Sequence, residues 1–214
     1  MMTLYAFRSV PPVAQGLVRD LRVRWALEEA GLPYREVLIG PETQTTAEYR
    51  ALQPFGQVPA IEQDGLKLFE SGAILLHIAE QAPALMPADP AGRARTTAWV
   101  FAALNSVEPA VGSLVDLDLF HAGEPWVAGQ RPAAVAAVEK RLGALEDWIG
   151  GRDYLEDRFT AGDLMMTTVL RILRGTDLVE RRPRLKAYKE RCEARGPFRK
   201  ALADHLRPFQ AGAA

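Results

Sequence analysis

Residues 53–72 read QPFGQVPAIEQDGLKLFESG, and this stretch decides the fold of the first part of the chain. Two apolar-rich runs flank Asp64-Gly65, a dipeptide that favours a two-residue hairpin because both residues tolerate positive φ. The two runs are therefore predicted to be antiparallel strands. Pro59 stands at the head of the first run, where proline is tolerated. Ser71 follows the second run and is predicted to be the N-cap of a helix.

The residues before this stretch predict a strand, a helix and a second strand. TLYAF (3–7) is a run of β-forming residues, and the apolar spacing from Leu17 to Ala30 indicates a helix that Gly31 ends. YREVLI (34–39) predicts the second strand, and the β-helix-β order favours a parallel pair. The helix has two apolar sides, so we expect it to lie between two layers, such as the sheet and a second domain.

The residues after this stretch predict a linker and a helical region. A Pro-rich connection, 82–92, lacks apolar periodicity. Helical spacing follows in 132–151, with a proline predicted in its first turn. Residues 160–173 are nearly all apolar after a capping box formed by Thr160 and Asp163, so we predict a buried central helix there.

Composition indicates a globular protein and argues against several function classes. The 214 residues are 48% hydrophobic and 25% charged, with 26 Lys and Arg against 27 Asp and Glu. A net charge of -1 gives no basic field for nucleic acid. A single cysteine, Cys192, and three histidines predict neither disulfides nor a metal site, which fits a reducing cytoplasm. No signal segment and no uninterrupted apolar window of membrane length is apparent, so no membrane insertion is predicted.

The segment GQVPAIEQDGLKLFESGAILLHIAE (56–80) resembles the glutathione-binding segment of the cytosolic glutathione transferases. FTAGDL (159–164), after a Pro-rich linker, extends the resemblance over nearly the whole chain. The resemblance implies an α/β plus all-α fold. Its parts are a thioredoxin-like domain at 1–81 (βαβ-α-ββα with a mixed four-stranded sheet), a linker at 82–92 and an all-helical C-terminal domain at 93–214.

The predicted glutathione contacts come from this segment. An X-Pro bond adopts the cis form at lower cost than other peptide bonds, and such a bend turns the Val58 main chain outward to pair with a bound peptide. The alternative is a trans proline that starts an edge strand. A helix start at Ser71 suits the γ-glutamyl carboxylate, although Ser71 can also be a plain N-cap. By the resemblance, the contacts are Gln53, Gln57, Val58, Pro59, Glu70 and Ser71.

The group that activates the glutathione thiol stays open at the level of sequence. The family places a hydroxyl or a cysteine just after the first strand. Counting forward from that strand selects Ser9, whereas counting backward from the first helix reaches Leu17, which has no hydroxyl. Tyr5, within the strand, is the second candidate, and backbone N–H groups, Arg8 or no dedicated activator are the others. Arg19 and Arg22 on the first helix could add positive potential near the sulfur.

The resemblance implies a glutathione transferase that attacks a small hydrophobic electrophile. Glutathione would be the co-substrate, with no metal, no nucleic acid and no membrane as partner, in a cytoplasmic homodimer. Trp99, Asn105 and Glu108 are predicted to line the electrophile pocket. One alternative is a glutathione-binding or regulatory module of the same fold without transferase chemistry. Another is a glutathione-dependent isomerase or dehalogenase.

Overall fold

The computed structural model describes residues 1–211, which form two compact units. Met1–Ala88 and the segment that begins at Ala194 form the first unit, and Asp89–Glu193 form the second. The predicted boundaries instead assign 93–214 to one helical domain. The grouping differs because the C-terminal helix packs on the first helix of the chain. Local sequence patterns carry no information about such a distant partner.

The first unit contains a mixed four-stranded sheet in the order β2-β1-β3-β4. The strands are β1 (Met2–Phe7), β2 (Tyr34–Ile39), β3 (Ala60–Gln63) and β4 (Leu66–Phe69). Strand β1 pairs in parallel with β2 and antiparallel with β3, and β3 pairs antiparallel with β4. Asp64 and Gly65 join β3 to β4 with φ angles of 51° and 83°. The predicted hairpin, the parallel pair and the thioredoxin-like architecture are confirmed.

Ten α-helices occur in the described residues. They are α1 (Asp20–Ala30), α2 (Pro41–Gln44), α3 (Ala47–Leu52), α4 (Ser71–Ala79), α5 (Pro90–Phe101), α6 (Glu108–Val115), α7 (Val127–Ile149), α8 (Ala161–Arg171), α9 (Pro183–Glu193) and α10 (Gly196–Ala211). Helices α1–α4 and α10 belong to the first unit, and α5–α9 to the second. An all-helical second part of the chain is confirmed.

Helix α1 lies between two layers, as its two apolar sides predict. It packs on β1 and α4, and its other side is covered by α10. The Trp25 ring contacts the edge of Phe198 with ring centroids 4.7 Å apart. The covering layer is therefore the C-terminal helix of the same unit.

Two predicted helix starts differ from the structure. The first helix begins at Asp20 and not at Leu17, since residues 17–19 form turns that follow a separate 3₁₀ turn, Pro12–Ala14, and a positive φ of 77° at Gly16. Helix α7 begins at Val127, so Pro132 lies inside it and not in its first turn. Arg131 lies in the part of α7 that precedes Pro132. It donates two hydrogen bonds of 2.7 and 3.0 Å to Asp118, which hold this first part of the helix in place.

The second unit begins within the predicted linker. Asp89 is the N-cap of α5 and accepts a hydrogen bond of 2.7 Å from the Gly92 N–H, so residues 90–92 are helical. Helices α5 and α6 continue through wider π-helical turns into one run, Pro90–Phe120, which is long and apolar enough to span a bilayer by length and composition alone. Within the unit, α5 packs on α8 and α6 on α7.

Candidate active site

Strand register brings the predicted site residues to one end of the sheet. Tyr5 of β1 is opposite Ala60 of β3, and Ala60 is opposite Phe69 of β4. The residues just before Ala60 therefore lie beside the end of β1 and the residue that follows Phe69. Ser9, the Val58-Pro59 dipeptide, Glu70 and Ser71 consequently converge at this end, although they are spread over 63 positions of the sequence.

The Val58-Pro59 peptide bond is cis, as predicted. The ladder of β3 begins at Ala60, and among the described residues no hydrogen bond involves the main chain of Val58. The Val58 side chain is buried with Tyr49 and Leu52, which fixes the position of this residue. Its N–H and C=O are therefore available to a peptide that pairs alongside.

The loop before Val58 is shaped by internal hydrogen bonds. The Gln53 side-chain oxygen accepts from the Phe55 N–H at 2.7 Å, so this buried glutamine holds the loop rather than projecting from it. Gly56 has a φ of 66°, and a Cβ there would lie 2.8 Å from the Gln44 carbonyl oxygen, which requires glycine. Gln57 is exposed, and its side chain makes no hydrogen bond within the described residues.

The start of α4 differs from the prediction at one position. Glu70, not Ser71, is the N-cap residue, and no side chain caps the helix. Glu70 has φ 70° and ψ 117°, a conformation that is unfavourable for a residue with a Cβ. The first N–H groups of α4 consequently have neither an intrahelical partner nor a side-chain cap. Exposed Glu70 adds a carboxylate beside them.

A buried arginine lies beneath this helix start. The Arg22 Nη1 of α1 donates a hydrogen bond of 3.0 Å to the Ser71 Oγ, and the two residues are only 3% and 4% exposed. The guanidinium charge, the Ser71 hydroxyl and the helix dipole all favour an anion at this point. Sequence reasoning proposed Arg22 only as a source of potential near the sulfur, because the contact with Ser71 spans 49 positions.

The two predicted hydroxyls differ in their availability. Tyr5 donates a hydrogen bond of 2.7 Å to Glu62, and burial, with that carboxylate, raises the pKa of Tyr5 to about 12. Ser9 is exposed in the loop after β1, and its hydroxyl makes no hydrogen bond within the described residues. Ser9 is therefore the hydroxyl that a ligand can reach.

The predicted electrophile residues occupy three different environments of the second unit. Trp99 is half-buried, donates a hydrogen bond of 3.0 Å to Glu156 and packs on the exposed Trp148, and a Cβ at Gly162 would lie 2.6 Å from the Trp99 Cβ. Asn105 is exposed in a π-helical turn, and Glu108 is buried at the start of α6. The described residues contain no group of three His, Cys, Asp or Glu arranged to hold a metal ion.

The chain combines a thioredoxin-like unit, in which an uncapped helix start lies beside a cis-proline, with an all-helical unit. Residues 2–80 match the description "Glutathione S-transferase, N-terminal domain", and residues 121–196 match "Glutathione S-transferase, C-terminal domain". A glutathione S-transferase of Hyoscyamus muticus is 31% identical over 196 residues, which cover 85% of this chain and 92% of that protein. The chain belongs to the glutathione S-transferase family.

Two further proteins are similar to this chain. A glutathione transferase of Burkholderia graminis, solved with two glutathione molecules bound per subunit, superposes with a TM-score of 0.81 at 29% identity, covering 94% of this chain and 87% of that chain. A disulfide-bond oxidoreductase of Escherichia coli is 38% identical over 95 residues, which cover 40% of this chain and 44% of that protein.

Proposed function

We propose that the protein is an enzyme that binds glutathione at this end of the sheet and stabilises its thiolate for attack on an electrophilic small molecule. The observation that carries the proposal is the convergence of the unpaired Val58 main chain with the uncapped start of α4. The cysteinyl main chain, the γ-glutamyl carboxylate and the γ-glutamyl ammonium of glutathione can then each contact a complementary group on one surface.

Each part of glutathione has a partner of matching chemistry. The cysteinyl main chain pairs with the N–H and C=O of Val58 as an added strand. The γ-glutamyl carboxylate binds the Ser71 hydroxyl and the first N–H groups of α4, with the Arg22 charge behind them. The Glu70 carboxylate takes the γ-glutamyl ammonium. Gln57 contacts the ligand from the loop, whereas Gln53 acts by shaping that loop.

The thiol needs an activator because a cysteine thiol has a pKa of about 8.5. Lowering it by about two units requires about 2.7 kcal/mol of preferential stabilisation of the thiolate. We assign this role to Ser9, whose exposed hydroxyl can donate to the sulfur. Tyr5 is less suited, because its hydroxyl already donates to Glu62.

Glutathione-affinity chromatography and an aryl halide conjugation assay test the proposal together. We expect the protein to be retained, to be eluted by free glutathione and to form the conjugate. Retention without conjugation of any of several electrophile classes would favour the binding-module alternative. A protein that is not retained, and that gives no calorimetric signal with glutathione, would contradict glutathione binding.

Replacement of Ser9 by Ala tests the activator. Titration of the bound thiol by its thiolate absorbance should give a pKa about two units higher in this variant than in the wild type. Tyr5→Phe is the matched control, and we expect its bound thiol pKa to be unchanged because the lost hydroxyl faces Glu62. An unchanged thiol pKa in Ser9→Ala would remove Ser9 from the mechanism.

Glutathione-dependent reduction of disulfides is a second candidate function. The only cysteine, Cys192, is fully buried, so the sulfur chemistry would belong to glutathione itself. One glutathione thiolate attacks the substrate disulfide and releases one thiol, and a second glutathione resolves the mixed disulfide. The net products are two thiols and glutathione disulfide. The name of the Escherichia relative and the two glutathione molecules bound per subunit of the Burkholderia relative favour testing this reaction.

A small dialkyl disulfide separates the two candidates. Formation of glutathione disulfide, followed through glutathione reductase and NADPH, should exceed the uncatalysed rate if the second candidate is right. Cys192→Ala should keep that rate, because a buried thiol takes no part. Conjugation without disulfide reduction would leave the transferase as the function. Isomerase and dehalogenase activities differ from it only in the electrophile.

The remaining features of the proposal come from the family. The electrophile is expected to be small and hydrophobic, and Asn105 and Glu108 stay candidates for its pocket, whereas the packing of Trp99 on Trp148 favours a structural role. The two-fold homodimer and the cytoplasmic location stay predictions. Sedimentation of the purified chain at several concentrations would measure the first of these.

A further inference from the structure

Helix α10 is tied to α1 along its length by polar contacts as well as by packing. Near the end of α1, Glu29 accepts two hydrogen bonds, at 2.6 and 2.7 Å, from Arg195, the residue just before α10, and Glu28 pairs with Lys200 of α10 at 2.6 Å. At the start of α1, the contact is made by His205. These contacts belong to the first unit.

The contact at the start of α1 is fully buried. The His205 Nδ1 lies 3.0 Å from the Asp20 Oδ2, and the two residues are 1% and 2% exposed. Because a carboxylate only accepts hydrogen bonds, Nδ1 is the donor. The same oxygen accepts from the Arg24 Nε at 2.8 Å. The other ring nitrogen, Nε2, has no hydrogen-bond partner within the described residues, so the bond to Asp20 is the polar contact of this ring.

Asp20 is the first residue of α1, and Arg22 lies in the same turn. Arg22 extends from this turn to Ser71 at the start of α4. No side chain caps α1. The Leu21 and Arg22 N–H groups donate to the Val18 and Arg19 carbonyl oxygens, and the bonds of the Asp20 carboxylate add side-chain contacts that hold this turn. A shift of this turn would move the Arg22 guanidinium relative to Ser71.

We propose that His205 is a positioning residue for the glutathione site. It holds the first turn of α1 through Asp20, and that turn in turn holds Arg22 against Ser71. This inference rests on the proposed function, since it concerns the site for the γ-glutamyl carboxylate. It assigns a role in ligand binding to a residue of the C-terminal helix, 134 positions after Ser71 in the sequence.

Calorimetric titration of the full chain with glutathione tests the proposal. His205→Leu removes the donor and should weaken binding about three- to tenfold, the usual effect of losing one hydrogen bond. His205→Asn should bind as tightly as the wild type, because the asparagine amide donates from nearly the position of Nδ1. Should the leucine variant fail to fold, His205→Gln replaces it, since the longer side chain carries its amide past Asp20.

Lys200→Met is the matched control on the same helix. It breaks the pair with Glu28 at the far end of α1 and leaves Asp20 untouched. Urea unfolding should report a lower stability for this variant with an unchanged affinity for glutathione. A purely structural role of α10 would instead give affinities that follow stability in all the variants.

The outcomes separate this inference from the proposed function. Wild-type binding together with equally tight binding by His205→Leu, or by His205→Gln in its place, would overturn the role of His205 alone. Weak binding by His205→Asn, or by Lys200→Met, would also overturn it. A wild-type protein that does not bind glutathione would overturn the proposed function and the positioning role together.

Discussion

Helices α4 and α8 begin in opposite ways. At the start of α8, Thr160 and Asp163 form a reciprocal capping box. The Asp163 carboxylate is fully buried, and its oxygens accept hydrogen bonds from the Leu155 N–H at 2.8 Å and the Tyr188 hydroxyl at 3.1 Å as well as from Thr160. At the start of α4, no side chain caps the helix and the N-cap residue has an unfavourable backbone conformation.

The difference indicates that the two helix starts have different roles. A helix whose first N–H groups bond to its own capping residues gains stability and offers nothing to a ligand. A helix whose first N–H groups lack such partners is less stable alone, and an anionic ligand supplies what is missing. The former describes a folding element, and the latter a binding site, within one chain.

The largest expected effect is on the capped start of α8. Asp163→Ala leaves buried donors of Leu155, Thr160 and Tyr188 without their acceptor, so we expect a loss of about 3–5 kcal/mol in the free energy of unfolding. Asp89→Ala, at the exposed N-cap of α5, is the matched control and should cost about 1 kcal/mol. Urea unfolding measures both. Equal losses in the two variants would show that burial of the cap has no special weight.

The second effect is the pH dependence of the same carboxylate. Burial raises the pKa of Asp163 from 3.8 to about 6 in the folded state. The folded state therefore binds a proton more tightly than the unfolded state, and this stabilisation is complete below about pH 4 and lost as the pH rises through 6. The stability of the wild type relative to Asp163→Asn should grow by up to about 3 kcal/mol between pH 7 and pH 4. A difference that shrinks towards pH 4 would contradict the raised pKa.

A smaller effect is expected at the uncapped start of α4. Ser71→Ala removes a hydrogen bond to the γ-glutamyl carboxylate, so the Kd for glutathione should rise about 10- to 100-fold. The stability without ligand should fall less than in Asp163→Ala, because the Arg22 Nη1 is, among the described residues, the one buried donor that loses the Ser71 hydroxyl as acceptor. Calorimetry with glutathione gives the first quantity and urea unfolding the second. Affinity equal to that of the wild type would place the carboxylate elsewhere.

The smallest effect has the opposite sign for stability and for binding. Glu70→Gly removes a Cβ from a residue with a φ of 70°, so the unliganded protein should gain about 1 kcal/mol of stability. Glutathione binding should weaken because the ammonium loses its carboxylate. Asp64→Gly, at a φ of 51° in the hairpin, is the control, since it should leave binding unchanged. A Glu70→Gly protein that binds normally would separate the strained residue from the ligand.

Sequence reasoning succeeded where the cause of a structure lies within a few residues. The β3–β4 hairpin follows from the two turn residues that adopt positive φ, and the start of α8 follows from the Thr160-x-x-Asp163 spacing. Most residues of the proposed site belong to the continuous segment 56–80, so a local sequence motif was sufficient to predict them. The start of α4 shows the limit of this reasoning. The local preference for serine predicted Ser71 as the N-cap, but the N-cap residue is Glu70.

The sequence by itself determined the order of the strands and helices and the capping box of α8, since each depends on short-range sterics or hydrogen bonding, whereas the cis state of Pro59 was expected only from the family resemblance. Only the tertiary structure decided that Arg22 lies under Ser71, that Tyr5 is bound to Glu62 and that His205 contacts Asp20. These contacts join residues 49, 57 and 185 positions apart. Packing chooses such partners among many chemically equivalent side chains, and no local pattern records that choice.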